Sequence, residues 1–318
     1  MGFWNDLWRT KSKNYIAEYI NAGPPVQVGQ EYLTIDLEAM HIVNVRQGLT
    51  KFYGAVHSNI GVPYITGDVR EFQLLATPPD LGKADAKNFD RVIPGPFRLL
   101  DGVPYRGGKI DLEVGLFSIA AADLAAPYLK LLGDLSEKAG VAFISTAMPF
   151  VEILHNGFQA IAGGDTLEIG RAALFDPPQA GHYIVIRATH ADFPKAKFTV
   201  SNDGRELLAG GKPVDRPYMI LRFHASAKRD DWFRIPELSK AYEDLSACAR
   251  KLDYPGVEER LTAFRVVVLT CPDLLTSHAV RLAEQIKTEF QALMPSTGTA
   301  RTKARPEPKP LHAFNPFH

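Results

Sequence analysis

Apolar and polar positions alternate with a period of two through much of the N-terminal two thirds of this chain. Residues Glu31 to Asp36, Met40 to Val45, Lys51 to Ile60, Val69 to Thr77 and Lys109 to Ser118 all follow this rhythm. β-Branched and aromatic residues fill these runs, and Pro78-Pro79, Gly95-Pro96 and Gly107-Gly108 punctuate them, so they read as strands. The pattern returns at Thr166 to Phe175, Tyr183 to Ala188, Phe198 to Ser201 and Tyr218 to His224. Asn202-Asp203-Gly204, between Val200 and Leu207, reads as a hairpin turn because all three residues tolerate positive φ. Successive strands without helices between them favour antiparallel pairing in a sandwich or barrel.

Elsewhere the period lengthens toward that of a helix. Phe3, Trp4, Leu7, Trp8, Tyr15, Ile16, Tyr19 and Ile20 share one face of an amphipathic helix over 3–20, stopped by Gly23-Pro24-Pro25. Leu124 to Lys138 reads as an inserted helix, Val141 to Ser145 as a short strand and Phe150 to Ile161 as a further helix. Near the C-terminus, Pro236 to Leu252 and Ser277 to Leu293 read as helices, and Val257 to Leu261 as a short helix or turn. Phe264 to Thr270, built around the apolar Val266 to Leu269, reads as a strand buried on both faces. Residues 295–318 are rich in proline and poor in aliphatic runs, and read as a disordered tail. The expected fold is therefore α+β and β-rich: an antiparallel β-sandwich with inserted helices and a small helical C-terminal portion. The expected divisions are an N-terminal helix in 1–24, the sandwich in 25–229, the α-rich portion in 230–294 and the tail in 295–318.

Composition narrows the function classes. The 318 residues carry 36 Lys+Arg against 36 Asp+Glu, so nothing suggests wholesale nucleic-acid binding. With 46% hydrophobic residues, most of the chain has enough apolar material to fold. The two cysteines, Cys248 and Cys271, provide no disulfide framework, and no window looks like a membrane span or a signal peptide. A cytoplasmic protein is expected.

Candidate chemistry is thin. There is no Gly-x-x-x-x-Gly-Lys-Ser/Thr, no Gly-x-Gly-x-x-Gly after a strand, no Gly-x-Ser-x-Gly, and no His-Glu-x-x-His or paired Cys-x-x-Cys. No cofactor or metal ligand set is therefore expected. Cys271 at a junction before Pro272-Asp273 is the one nucleophile candidate, with His278 or His224 as its base, and it supports an alternative reading as a hydrolase of unknown substrate. Asp80, Asp85 and Lys87 imitate a nuclease set only superficially, since their segment reads as loop. Arg222, Lys228, Arg229, Trp232 and Arg234 imitate a basic, aromatic nucleic-acid surface, but a solvated strand end followed by a packed tryptophan explains them as well.

The two ends carry the positive signals. Phe3, Trp4, Leu7 and Trp8 form an aromatic face suited to a protein partner, or alternatively to a membrane surface contacted through residues 3–20. Phe314 and Phe317 close a charged, proline-rich tail and read as a short docking motif. The sequence thus leads to the expectation of a non-enzymatic binding or scaffold protein that contacts partners through its termini.

Overall fold

The structure, a computed structural model, describes residues 15–43, 46–47, 50–64, 69–76, 91–92, 97–120, 167–294 and 307–317. It is α+β and strand-rich. One sheet contains β1 (Ile16–Ile20), β10 (Gly181–Ile186), β14 (Tyr218–Ser226) and β2 (Tyr32–His41) in that order. The outer edge of β2 pairs with both β6 (Arg91–Val92) and β7 (Phe97–Pro104). The second sheet places β4 (Thr50–Pro63) between β5 (Val69–Ala76) and β8 (Ile110–Ala120), with β9 (Leu167–Phe175) beyond β8. The short β3 (Arg46–Gln47) folds back on the start of β4. A small third sheet holds β11 (Phe198–Val200), β12 (Leu207–Ala209) and β13 (Lys212–Pro213). All pairings are antiparallel, as the frequent strands without intervening helices require.

Strand alternation builds the sandwich. Leu33, Ile35 and Leu37 of β2, Leu221 and Phe223 of β14, and Tyr183 and Val185 of β10 point to one side of the first sheet. There they share a core with Val56, Ile60 and Val62 of β4 and Leu112, Val114 and Leu116 of β8. Full burial of each such side chain is worth about 1.5–3 kcal/mol. The alternate residues Ile184, Ile186 and Ile220 pack on Phe198, Leu207 and Val214 of the small sheet, so β10 and β14 are apolar on both faces there. The β11–β12 hairpin forms at the expected turn: Val200 pairs with Leu207, and Gly204 takes φ +75° while its N–H donates to the Ser201 carbonyl at 2.9 Å.

The chain from Ile16 corrects the N-terminal helix expected over 3–20. Residues Ile16–Ile20 form strand β1, with Ile16 opposite Ile186 and Ile20 opposite His182. A spacing of four puts Ile16 with Ile20, and Tyr15 with Tyr19, on common faces in a helix and in a strand alike. Tertiary contacts select the strand: Ile16 and Ile20 join the core under the small sheet, while Tyr15, Ala17 and Tyr19 pack on the core between the large sheets. Phe3, Trp4, Leu7 and Trp8, the inserted helices and strand expected within 121–166, and Asp80, Asp85 and Lys87 lie outside the described residues.

The C-terminal portion consists of three helices: α1 (Pro236–Arg250), α2 (Tyr254–Leu269) and α3 (Thr276–Leu293). The expected strand at Phe264 to Thr270 is instead the second half of α2. Asp253 caps it by accepting from the Gly256 N–H at 3.1 Å, and Pro255 sits in its first turn, where a missing donor costs little. Val257, Leu261, Phe264 and Val268 are buried at helical spacing, whereas Val266 and Leu269 are 58% and 47% exposed. Apolar side chains stand on several sides of this half of the helix, but only one side is covered. Among the described residues, no helix is long and apolar enough to cross a membrane.

A buried arginine joins the helices to the sandwich. The Arg229 side chain is 1% exposed and donates to Asp231 Oδ1 at 2.7 Å and to the Gly102 carbonyl of β7 at 2.9 Å. Its guanidinium also lies 3.6 Å from the fully buried Asp273, in the turn between α2 and α3. Gly102 has φ +55°, and a Cβ there would meet the Arg229 stem at 3.4 Å, so glycine serves both the backbone and the close approach. Arg106 reinforces the seam by donating to the Leu274 carbonyl at 2.7 Å.

The helical state of the apolar run has a direct test. Val266→Ala on the exposed face should raise the unfolding free energy by about 0.5 kcal/mol, because alanine is the better helix former. Urea denaturation measures it. A β-strand at this place would lose stability on the same substitution.

Candidate functional site

Residues 307–317, expected to belong to a disordered tail, lie across the helical portion. Buried Leu311 and Phe314 join its core cluster, and Phe317 packs against that cluster. The segment runs antiparallel to α3, as three side-chain contacts show. Lys309 Nζ pairs with Glu289 at 2.9 Å, the Gln285 side chain meets Asn315, and Arg281 donates to the Phe317 carbonyl at 3.3 Å. Pro310 (φ −64°, ψ 150°) and Phe314 (φ −82°, ψ 150°) have polyproline II backbone and flank a 3-10 turn over Leu311–Ala313. Both conformations repeat every three residues. Pro308, Leu311 and Phe314 are accordingly buried at intervals of three, and Phe317, the next in that series, is half-buried.

The floor of this groove is aromatic. The Tyr242 ring meets Phe314 edge-on at 6.0 Å, Phe233 meets His312 at 5.9 Å and His278 meets Phe317 at 5.0 Å. Above the floor, helix side chains bind the main chain of the segment. Gln285 Nε2 donates to the Asn315 carbonyl at 2.7 Å while its Oε1 accepts the Asn315 N–H at 3.1 Å. The Tyr242 hydroxyl donates to the Lys309 carbonyl. Burial pushes that hydroxyl up to about 12, so it keeps the proton it donates. Asn315 Oδ1 accepts the Phe317 N–H at 3.0 Å, a local turn around Pro316 that aims the last ring at His278. Two open clefts flank the segment: one of about 650 Å³ along Gln285, Thr288 and Glu289, and one of about 400 Å³ along Lys228, Trp232 and Phe233.

His278 links the groove to the sandwich. The Leu275 N–H donates to the Tyr32 hydroxyl at 3.2 Å, and that hydroxyl lies 2.9 Å from His278 Nδ1. Burial pushes Tyr32 up to about 12, so its hydroxyl keeps its proton beside His278 Nδ1. Burial, with a smaller contribution from Arg281, lowers the His278 pKa from its ordinary value.

A second polar cluster occupies the part of the first sheet's outer face beyond the small sheet. Asp36, 4% exposed in its side chain, lies 3.1 Å from Arg98 Nε and 3.2 Å from His224 Nε2. Glu38 lies 2.8 Å from His182 Nε2 and 3.0 Å from Arg222 Nη1. Burial alone would raise the Glu38 carboxyl, but His182 and then Arg222 outweigh it and hold the group below its ordinary value. Each guanidinium here is already paired with a carboxylate, so the cluster reads as a ladder of cross-strand ion pairs.

The other sequence candidates fall into structural places. Cys271 is 3% exposed, and burial first, then Asp273, pushes its thiol up to about 12, the reverse of what activates a nucleophile. His278 and His224, considered as its base, are engaged by Tyr32 and Asp36. Of the basic set, Arg229 and Trp232 are buried, Arg222 pairs with Glu38, and the Arg234 guanidinium stands 5.8 Å from the Phe233 ring centre. Among the described residues, no three His, Cys, Asp or Glu side chains gather as metal ligands would. Phe314 and Phe317 do come together, on the chain's own helices. Sequence reasoning missed Tyr242, Arg281, Gln285 and Glu289. The one trace of the groove in the sequence is the three-residue period of Pro308, Leu311, Phe314 and Phe317, which does not say what those residues meet.

With this geometry in view, comparison with known proteins adds no relative: no family model, curated protein or solved structure matches the chain.

The His278 link gives a pH dependence. A histidine with a lowered folded-state pKa contributes stability that is fully present above the unfolded value near 6.5 and is lost as pH falls below it. Thermal unfolding from pH 7.5 down to 5.5 should therefore show a steeper loss of Tm in the native chain than in His278→Gln. Parallel curves would contradict this role.

Proposed function

We propose that this chain is a non-enzymatic protein-binding component of a larger assembly, which holds an extended segment of a partner in the groove on its helical portion. The observation that carries the reading is the way residues 307–317 are held. Aromatic side chains take the apolar anchors, and Gln285 and Tyr242 bind main-chain groups. Side chains that bind peptide main chain suit recognition of extended segments, and an aromatic floor suits proline-containing ones. The buried, unactivated thiol of Cys271 gives a hydrolase no support. Cys248 and Cys271 are both free, which accords with a reducing cytoplasmic location. Phe3, Trp4, Leu7 and Trp8 supply a further proposed contact at the other end of the chain.

Cross-linking in the cells that make the protein tests the reading. The full chain should capture a defined partner, and Phe314→Ala, which loosens the chain's own segment and leaves the groove intact, should raise that capture at least about ten-fold, since a buried phenylalanine contributes about 1.5–3 kcal/mol. The same proteins captured in the same amounts by both chains would contradict it.

A further inference from the structure

The groove already contains a segment of this chain, and the chemistry of that segment specifies what else fits. Pro308, Leu311, Phe314 and Phe317 present an apolar group at every third position. Lys309, one residue after the first of them, meets Glu289. Asn315 and Pro316 make the turn that seats the last ring, and Gln285 pairs with the main chain at that turn. Glu307, Lys309, Pro310, His312, Ala313 and Asn315 are exposed, although the His312 ring edge also meets Phe233. Selectivity therefore rests on the spacing of anchors, one cation and one turn.

Resting on the function proposed above, we propose that residues 307–317 are a tethered placeholder. The partner is then a protein segment of the same chemistry: an apolar residue at every third position, a cation after the first, and an Asn-Pro turn before the last anchor, a phenylalanine. Residues 295–306 join the placeholder covalently to α3. A short tether holds its end at an effective concentration on the order of millimolar. A free segment of equal intrinsic affinity is thereby excluded at ordinary concentrations. A partner enters only by binding more tightly, by presenting several copies, or after the tether is cut. The apolar anchors supply most of the hold, because an exposed pair such as Lys309–Glu289 contributes about 0–1 kcal/mol against about 1.5–3 for a buried leucine or phenylalanine. The lysine serves to choose between segments that already have the anchors.

The test uses the full chain with a protease site introduced within residues 295–306, and a fluorescent peptide of the sequence 307–317 as probe. Fluorescence anisotropy follows binding before and after cutting and dilution. The proposal expects at least about ten-fold tighter binding after the cut, and loss of that binding for a peptide with one alanine inserted after Leu311. Equal affinity before and after the cut overturns the placeholder. Equal binding of the register-shifted peptide overturns the spacing rule. If circular dichroism shows that cutting unfolds the helices, the intact Glu289→Lys chain decides. Its own tail is then repelled, and it should prefer a Lys309→Glu peptide over the native one by about three-fold; no preference overturns the proposal. Peptide binding that behaves as expected, with no partner captured in cells, would refute the proposed function while leaving the placeholder in place.

Discussion

A guanidinium with almost no contact with water is the constraint on which the arrangement of the two parts depends. Arg229 connects β7, through the Gly102 carbonyl, to the turn between α2 and α3, through Asp273. Removing one member of such a buried pair strands the other charge, at a cost of about 3–5 kcal/mol. The geometry also fixes everything downstream. The turn held by Asp273 presents Leu275 and His278 to Tyr32 of β2, and so sets where α3 begins. α3 in turn carries Arg281, Gln285 and Glu289 along one side, which defines the line that residues 307–317 follow.

The sandwich and the helices thus play different physical roles. β10 and β14 bury apolar residues against the second large sheet on one side and the small sheet on the other, and among the described residues the rest of the first sheet's outer face carries a ladder of ion pairs. Such a ladder adds register to the strands and does not form a site. The helices leave an aromatic floor that their own packing does not close, and the C-terminal segment closes it. The fold therefore places its only peptide-like contact among the described residues on the smaller unit, with the larger one as a rigid base.

How much of this could be read from the sequence depends on how many conformations each pattern allows. β8, which alternates, β10 and β14, which are short apolar runs rich in β-branched and aromatic residues, and the two amphipathic helices α1 and α3 were legible because their patterns favour one reading. The segment Tyr15 to Ile20 was not, because a four-residue spacing satisfies both periods and only the partner strand β10 decides. In α2, Val266, Val267 and Val268 have strand preferences, and the cap at Asp253 and the packing of Phe264 override them. β7 escaped notice because Asp101 and Gly102 interrupt its pattern: Asp101 binds Arg98 of the same strand, and Gly102 makes room for Arg229 at the seam. The groove itself was invisible locally. Its residues come from α1, α3 and the turn before α1, and the period-three pattern of the tail acquires meaning only when those elements are brought together.

Amide hydrogen exchange on the intact chain addresses the central claim most directly. If helix side chains hold the C-terminal segment, the Asn315 amide, bonded to Gln285 Oε1, and the Phe314 amide, bonded to the Leu311 carbonyl, should exchange at least about ten-fold slower than in the free peptide. Exchange of both at the free-peptide rate, while the helices stay protected, would show that the groove does not hold the segment.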